Sequence, residues 1–409
     1  MNRKKQIVRI LKLLKLHLIK RRFLEVKNYL FLSNKYGVFS GQIVSFNDLE
    51  NENILYSHKV DLFYSPPVFD DENPSVLIKG MTYNQYAVKL KNVAVLGISS
   101  IIPMSSGKVL YDLPFYDTDK RFYYSDYKIL KLKNKRITYW KGKGQTIDKA
   151  VSMCSNYSWN FYHFIYEIAI KFCKLNELNI PSDIPVLVDQ MCLDIPQCKE
   201  ILDMLNEKGR PLVSIAQDGF FEVNELFYIN CPNFIPPNNK NDNDLRPSDV
   251  QFDIEAVKNL RNFLLPYASL QNFPKRIFIS RKVASGRRQF NEEELIQVAA
   301  DFGFEVVFPE KLSFCEQIAL FSRAEWIIGG SGAAFANLLF CKENSKALIL
   351  FKRRLPFSGF ATIARISNMD IRYITEESNE EKIKPDTKVH DPFKIKVPDF
   401  RKYLNDNVI

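Results

Sequence analysis

The sequence predicts an α/β protein of two doubly wound halves facing a cleft, preceded by a basic amphipathic helix and a β-rich region. Three observations carry this. Residues 252–352 alternate short apolar strands with helical periods, residues 146–235 show the same rhythm, and a polar, turn-rich run at 236–244 separates the two. With 409 residues, 46% apolar and 25% charged, the chain has material for two or three domains. Its 15 Gly and 20 Pro, without a repeating block, exclude collagenous, low-complexity and solenoid structures.

Residues 1–24 read as the basic helix. Ile7, Ile10, Leu11, Leu14 and Leu18 recur at three- and four-residue intervals. Arg3, Lys4, Lys5, Arg9, Lys12, Lys15, Lys20, Arg21 and Arg22, with no acid among residues 1–22, account for nearly all of the net charge of +10. The nearly neutral remainder argues against nucleic-acid binding, which needs cations along a whole docking face. The arm has no charge-free run near the roughly 20 residues of a membrane span and no signal-peptide pattern. Lying flat on an anionic membrane is the expectation, which places the protein in the cytoplasm, peripheral on the inner face of the membrane. An ordinary helix packed on the protein or a partner is the alternative.

Residues 25–145 carry short β-type runs at 76–78, 87–90, 93–96, 108–111 and 137–140, broken by Ser65-Pro66-Pro67 and Ser105-Ser106-Gly107. Residues 146–250, one α/β half with its linker, predict a helix over 156–178, a strand at 185–188, a helix at 197–207 and strands near Leu212 and Phe227. Residues 251–375, the other half, predict helices at 254–265, 292–302, 314–323 and 333–340. Strands are expected there at 276–280, 305–308, 326–328 and 347–351. The tail, 376–409, is charged and turn-rich, with Phe400 to Leu404 expected to cross onto the other half.

Seven scattered cysteines without a C-x-x-C read as reduced core residues. Four histidines, none at metal-ligand spacing from a second His or a Cys pair, predict no structural zinc.

Three constellations carry chemistry. The run Trp326 to Asn337 leads a strand into Gly329, Gly330, Ser331 and Gly332 and then a helix of small residues starting at Ala333. Such a turn lets a diphosphate approach main-chain N–H groups at a helix N-terminus, although a tight turn needing glycine reads equally well and the third glycine of a dinucleotide fingerprint is replaced by Phe335. Arg281, then Arg287 and Arg288 before a helix opening with Asn291 and Glu292, follow the strand 276–280. Guanidinium groups there can clamp phosphate oxygens, or they form a solvated basic loop. Asn156, Asn160, His163 and Glu167 share one stripe of the helix 156–178. A histidine with a carboxylate one turn away suits a general base and its orienting partner, and a solvated polar face is the alternative.

The stretches Asn160-Phe-Tyr-His163-Phe-Ile-Tyr-Glu167, Arg276 to Arg281, Arg287-Arg-Gln-Phe-Asn291-Glu292, Leu312-Ser-Phe-Cys-Glu316-Gln317 and Gly330-Ser-Gly332-Ala-Ala-Phe-Ala-Asn337 resemble the family 61 glycosyltransferases. That family includes bacterial members described as capsular polysaccharide biosynthesis proteins, and the likeness spans roughly residues 80 to 352. It implies a GT-B architecture and inverting transfer from a nucleotide-sugar, expected to be UDP-linked, to a glycan or lipid-linked glycan acceptor, without metal or other cofactor. Carried over onto this chain, the family's motifs fall on Arg281, Arg287, Asn291, Glu292, Glu316, Gln317, Gly330, Gly332 and Asn337, the expected donor-binding set, which Ser331 and Ala333 of the same turn join by position. From the helix stripe, His163, or Glu167 acting through it, is the expected catalytic base, with Asn160 on the acceptor side. Two positions depart from the family pattern: Ser331 stands where a His is usual, and Phe164 where a Trp is usual. The first favours the alternative of a non-catalytic, membrane-associated scaffold in a polysaccharide assembly complex.

Overall fold

A computed structural model describes residues 35–49, 53–69, 76–111, 126–236, 245–282, 289–352, 354–376 and 391–408. The basic arm, Arg287 and Arg288 lie outside the described residues.

In chain order the strands are β1 (Gly37–Val44), β2 (Ile54–Tyr64), β3 (Ile78–Leu96), β4 (Ile102–Pro103), β5 (Lys108–Leu110), β6 (Ile129–Lys133), β7 (Arg136–Lys141) and β8 (Lys143–Ser152). They continue with β9 (Val186–Asp189), β10 (Leu212–Ile215), β11 (Gly219–Ile229), β12 (Arg276–Ile279), β13 (Glu305–Val307), β14 (Trp326–Gly330), β15 (Lys346–Phe351) and β16 (Asp370–Thr375). Three sheets result, ordered β4-β5-β1-β7-β6, β10-β9-β8-β11-β3-β2 and β13-β12-β14-β15-β16.

The third sheet is parallel at every pairing, for example Ile277 opposite Ile327 and Ile328 opposite Leu348. Its central strands β12, β14 and β15 are nearly continuous apolar runs because both faces are covered. Ile277, Ile279, Ile327 and Ile349 enter one core, while the alternating Phe278, Ile328, Leu348 and Leu350 enter another. The chain runs from β12 outward to β13, then back past β12 to β14, so the strand order reverses between β12 and β14. Outside the carboxyl ends of that pair is where open α/β sheets bind ligands.

The second sheet is mixed rather than parallel throughout. β8, β9, β10 and β11 pair in parallel, and β3 then adds antiparallel to β11, with β2 antiparallel to β3. The runs expected separately at 87–90 and 93–96 belong to one strand that begins at Ile78, and Asn92 takes a φ of +53° between them without breaking it.

The helix expected over 156–178 begins only at Phe161. It makes one α turn (Phe161–His163), widens into a π turn (Phe164–Ala169), where Ile170 N–H donates to Ile165 O, and resumes as α (Ile170–Glu177). Asn156 therefore lies in the preceding turn, off the helical stripe. The helix expected at 333–340 is a 3-10 helix, Ala333–Phe340. One apolar core joins the second and third sheets, bringing Phe164, Ile168 and Phe172 together with Val186, Val188, Ile277, Ile327 and Phe335.

The C-terminal helix Val397–Asn407 does not cross to the other half. Phe400 and Leu404 pack with Leu295 and Val298 of the helix Glu292–Ala300 on the outer face of the third sheet. That face has an apolar surface to cover, and the hydrogen bond from Ile395 N to Asn291 Oδ1 (2.9 Å) holds the approach to it.

Candidate active site

The first part of the site is built around Glu167, on the π turn. His163, the last residue of the opening α turn, donates Nδ1–H to Glu167 Oε1 at 2.7 Å, and Ser155 Oγ donates to Glu167 Oε2 at 2.9 Å. A carboxylate only accepts, so the proton on Nδ1 leaves Nε2 as the basic nitrogen of the neutral ring. Ser155 follows β8, and its N–H is held by Asp189 Oδ2 at the end of β9 (3.1 Å), with Ile98 N–H on Oδ1. Burial pushes the Asp189 carboxyl above its ordinary range. The Tyr157 ring lies 4.9 Å from the imidazole, tilted 32° to it. The side chains of His163 and Glu167 remain 19% and 14% exposed, so the pair is sheltered yet reachable.

Asn160 is the N-cap of this helix, its Oδ1 accepting from Tyr162 N at 3.0 Å. Capping fixes where the first turn starts and so aims His163.

The second part lies at the carboxyl ends of β12 and β14. Arg281 donates its N–H to Glu292 Oε1 at 3.0 Å and its Nη1 to the Ser331 carbonyl at 2.9 Å. A Cβ on Gly332 would stand 2.1 Å from Arg281 Nη1, and one on Gly330 2.6 Å from the Phe290 ring and 3.1 Å from Arg281 Cδ. Glycine is required there for close approach, since Gly332 is in extended backbone at φ −175°. Burial pulls the guanidinium below its ordinary value, while Glu292 and Glu310 act to keep the charge in place. Ser331 is buried and its N–H goes to Leu350 O. The N–H groups opening the Ala333–Phe340 helix have no partner within that helix, as in the first turn of any helix.

The remaining predicted residues stand around this core of the site. Asn291 Nδ2 donates to Glu294 Oε2 and Ile395 O. Glu316 Oε2 accepts from Ser313 N at 2.8 Å and closes a capping box on the helix Phe314–Arg323. Gln317 is buried, donating to Pro309 O and accepting from Asn337 Nδ2 at 2.8 Å. Arg281, Glu292 and the Gly330–Gly332 turn are thus brought into contact with one another. The His163 helix reaches them through the 3-10 helix, Tyr166 Oη donating to Ala336 O at 2.8 Å.

Sequence reasoning missed Ser155, Tyr157 and Lys171. Lys171, four residues after Glu167 and buried, continues the 163–167 interval along the helix, and that interval was readable. Ser155 and Tyr157 precede the helix and carry no local signal. Among the described residues no group of three or more His, Cys, Asp and Glu side chains gathers to hold a metal ion.

A parallel α/β sheet with a cation and a glycine turn at its switch point, and a sheltered His–Glu pair on an adjoining helix, has the layout of a group-transfer enzyme. Residues 161–348 match the family Glycosyltransferase 61, from the first turn of the His163 helix into β15. The chain carries a domain of that family and is a glycosyltransferase. Among curated proteins none matches it. Among the described residues no helix is long and apolar enough to cross a membrane.

Proposed function

We propose that the enzyme moves a sugar from a nucleotide-sugar, UDP-linked by expectation, to a glycan hydroxyl with inversion at the anomeric carbon and without a metal ion. The observation that carries this reading is the Arg281 guanidinium laid against the Gly330–Gly332 turn. A helix N-terminus bears partial positive charge and the guanidinium beside it a full one, so together they favour an anion between them. A diphosphate fits that requirement, and Arg281 with the N–H groups from Gly332 onward would take up the charge that develops as it departs. Arg287 completes the clamp in this reading. Asn291, Glu292, Glu316, Gln317 and Asn337 hold the clamp in position, and Ser331 contributes its carbonyl to Arg281.

On the acceptor side, His163 Nε2 takes the proton of the attacking hydroxyl, and Glu167, fixed by Ser155, keeps the ring oriented and stabilises the imidazolium that forms. The two halves then act as donor and acceptor sides of a GT-B arrangement. The basic arm would hold the enzyme on the anionic inner face of a membrane, where a lipid-linked glycan is presented for capsular or other surface polysaccharide synthesis. A thermal-shift screen over nucleotide-sugars identifies the donor, since a ligand of the folded state raises apparent stability. With that donor, Arg281→Ala should lose about 10²- to 10³-fold in turnover while remaining folded. An unaltered rate removes Arg281 from the site.

A further inference from the structure

A pocket of about 130 Å³, lined by Glu167, opens beyond the carboxyl ends of β8 and β11. These are neighbouring parallel strands, and the chain leaves β8 toward β9 on one side and returns as β11 on the other, so the pocket sits at the reversal of strand order in the second sheet. The space equals roughly four water volumes, room for the charged substituent of a sugar whose ring lies toward the open mouth. Tyr157, whose ring packs on His163, and Tyr228 contribute aromatic wall.

The polar lining is largely committed. Asn230 spends its amide on Tyr86 N and Asn84 O, and Asn233 on Tyr166 O and Asp253 N. Both oxygens of Glu167 are taken by His163 and Ser155. Lys171 is the other charged group lining the pocket, only 6% exposed, and its ammonium makes no hydrogen bond or ion pair with any described residue. The thiols of Cys154 and Cys231 beside it are held neutral by burial, that of Cys231 pushed up to about 12, so neither supplies a counter-charge. The stem of Lys171 is buried while its ammonium opens onto the pocket without a protein acceptor, and a ligand anion meets it there.

We propose that this pocket is the acceptor subsite and that the sugar it holds is anionic, its carboxylate or phosphate lying on the Lys171 ammonium. The proposal rests on the reading of His163 and Glu167 as the acceptor-side pair, since Glu167 both lines the pocket and bonds the imidazole. It makes Lys171 a specificity-determining residue: charge on the acceptor is selected before the hydroxyl meets the base.

The test is calorimetric titration of the full chain with three probes: methyl β-glucuronide, glucose 6-phosphate and the neutral methyl β-glucoside. At least one anionic probe should bind about 10- to 100-fold more tightly than the glucoside, the span of a charge-assisted hydrogen bond, and the tighter of the two identifies carboxylate or phosphate as its source. Lys171→Met should abolish the gap while leaving glucoside binding unchanged, and Lys171→Arg should retain much of it. Equal affinities, no binding of any probe at millimolar concentration, or a gap that survives Lys171→Met overturns the proposal. The comparison of probes on the parent protein stands even if Lys171→Met fails to fold. UDP titrated into the same samples reports on the donor reading alone: its failure to bind with the anion preference intact sinks that reading and not this one, and the converse sinks only this one.

Discussion

Gly332→Ala isolates the position of the Arg281 guanidinium from its charge. The added methyl would sit 2.1 Å from Nη1, and Gly332 is in extended backbone, so the substitution introduces contact without backbone strain. Ordinary van der Waals separation requires the guanidinium to yield by about 1 Å, a displacement that in a preorganised site costs on the order of 10²-fold in rate, about 3 kcal/mol of barrier. Folding should suffer much less. The side chain is flexible and its bond to the Ser331 carbonyl (2.9 Å) lies in a half-buried setting, so about 1 kcal/mol and a few degrees of Tm are expected to be lost. The assay is release of nucleoside diphosphate from the donor found by screening, with thermal melting on the same preparation. Turnover within twofold of the parent refutes the claim that Arg281 must lie against the turn. A fall in turnover matched by a collapse of Tm places the effect in the fold instead of the site.

His163→Gln should lower turnover by about 10²- to 10⁴-fold, and Glu167→Gln by less; because the two act as a unit, the double variant should be no slower than His163→Gln alone in steady-state rates. Gly142→Ala places a methyl 1.4 Å from the Asp218 carbonyl oxygen, where two main-chain segments would have to part; a loss on the order of 4 kcal/mol or more is expected in denaturant titration, and a near-normal midpoint would contradict the close approach. Burial lowers the Lys128 ammonium to about 8, so between about pH 8 and its ordinary 10.5 the unfolded chain holds more protons and stability rises with pH through that window, being lost as pH falls through about 8; Lys128→Met should flatten this slope in melts taken across the range. Burial raises the Asp126 carboxyl to about 6, which gives the opposite sign: its stabilising contribution is present below its ordinary 3.8 and lost as pH rises through about 6, and Asp126→Asn should remove that dependence.

Much of the third sheet was legible in the chain. The strands at 276–280, 326–328 and 347–351 coincide with β12, β14 and β15 to within two residues, because a sheet covered on both faces needs uninterrupted apolar runs and those are local in sequence. The Gly330–Gly332 turn, and the four-residue interval from His163 to Glu167, were visible for the same reason: turn chemistry and helical spacing are properties of neighbours.

What the tertiary structure alone decided are the partners. Periodicity marks a face to be buried and is silent on what covers it, so nothing local announced that β3 would pair with β11, or that Phe400 and Leu404 would cover their own half. Nor could spacing show that Asn156 leaves the helix, since the chain turns at 157–160 before Asn160 caps it. The roles of polar residues followed contact rather than type. Gln317 and Asn337 meet each other, Asn291 meets Ile395, and Ser155 reaches Glu167 across twelve residues. Sequence supplied the reactive groups and their local spacing; long-range packing determined which of them face one another, because a hydrogen bond depends on distances that only the assembled layers set.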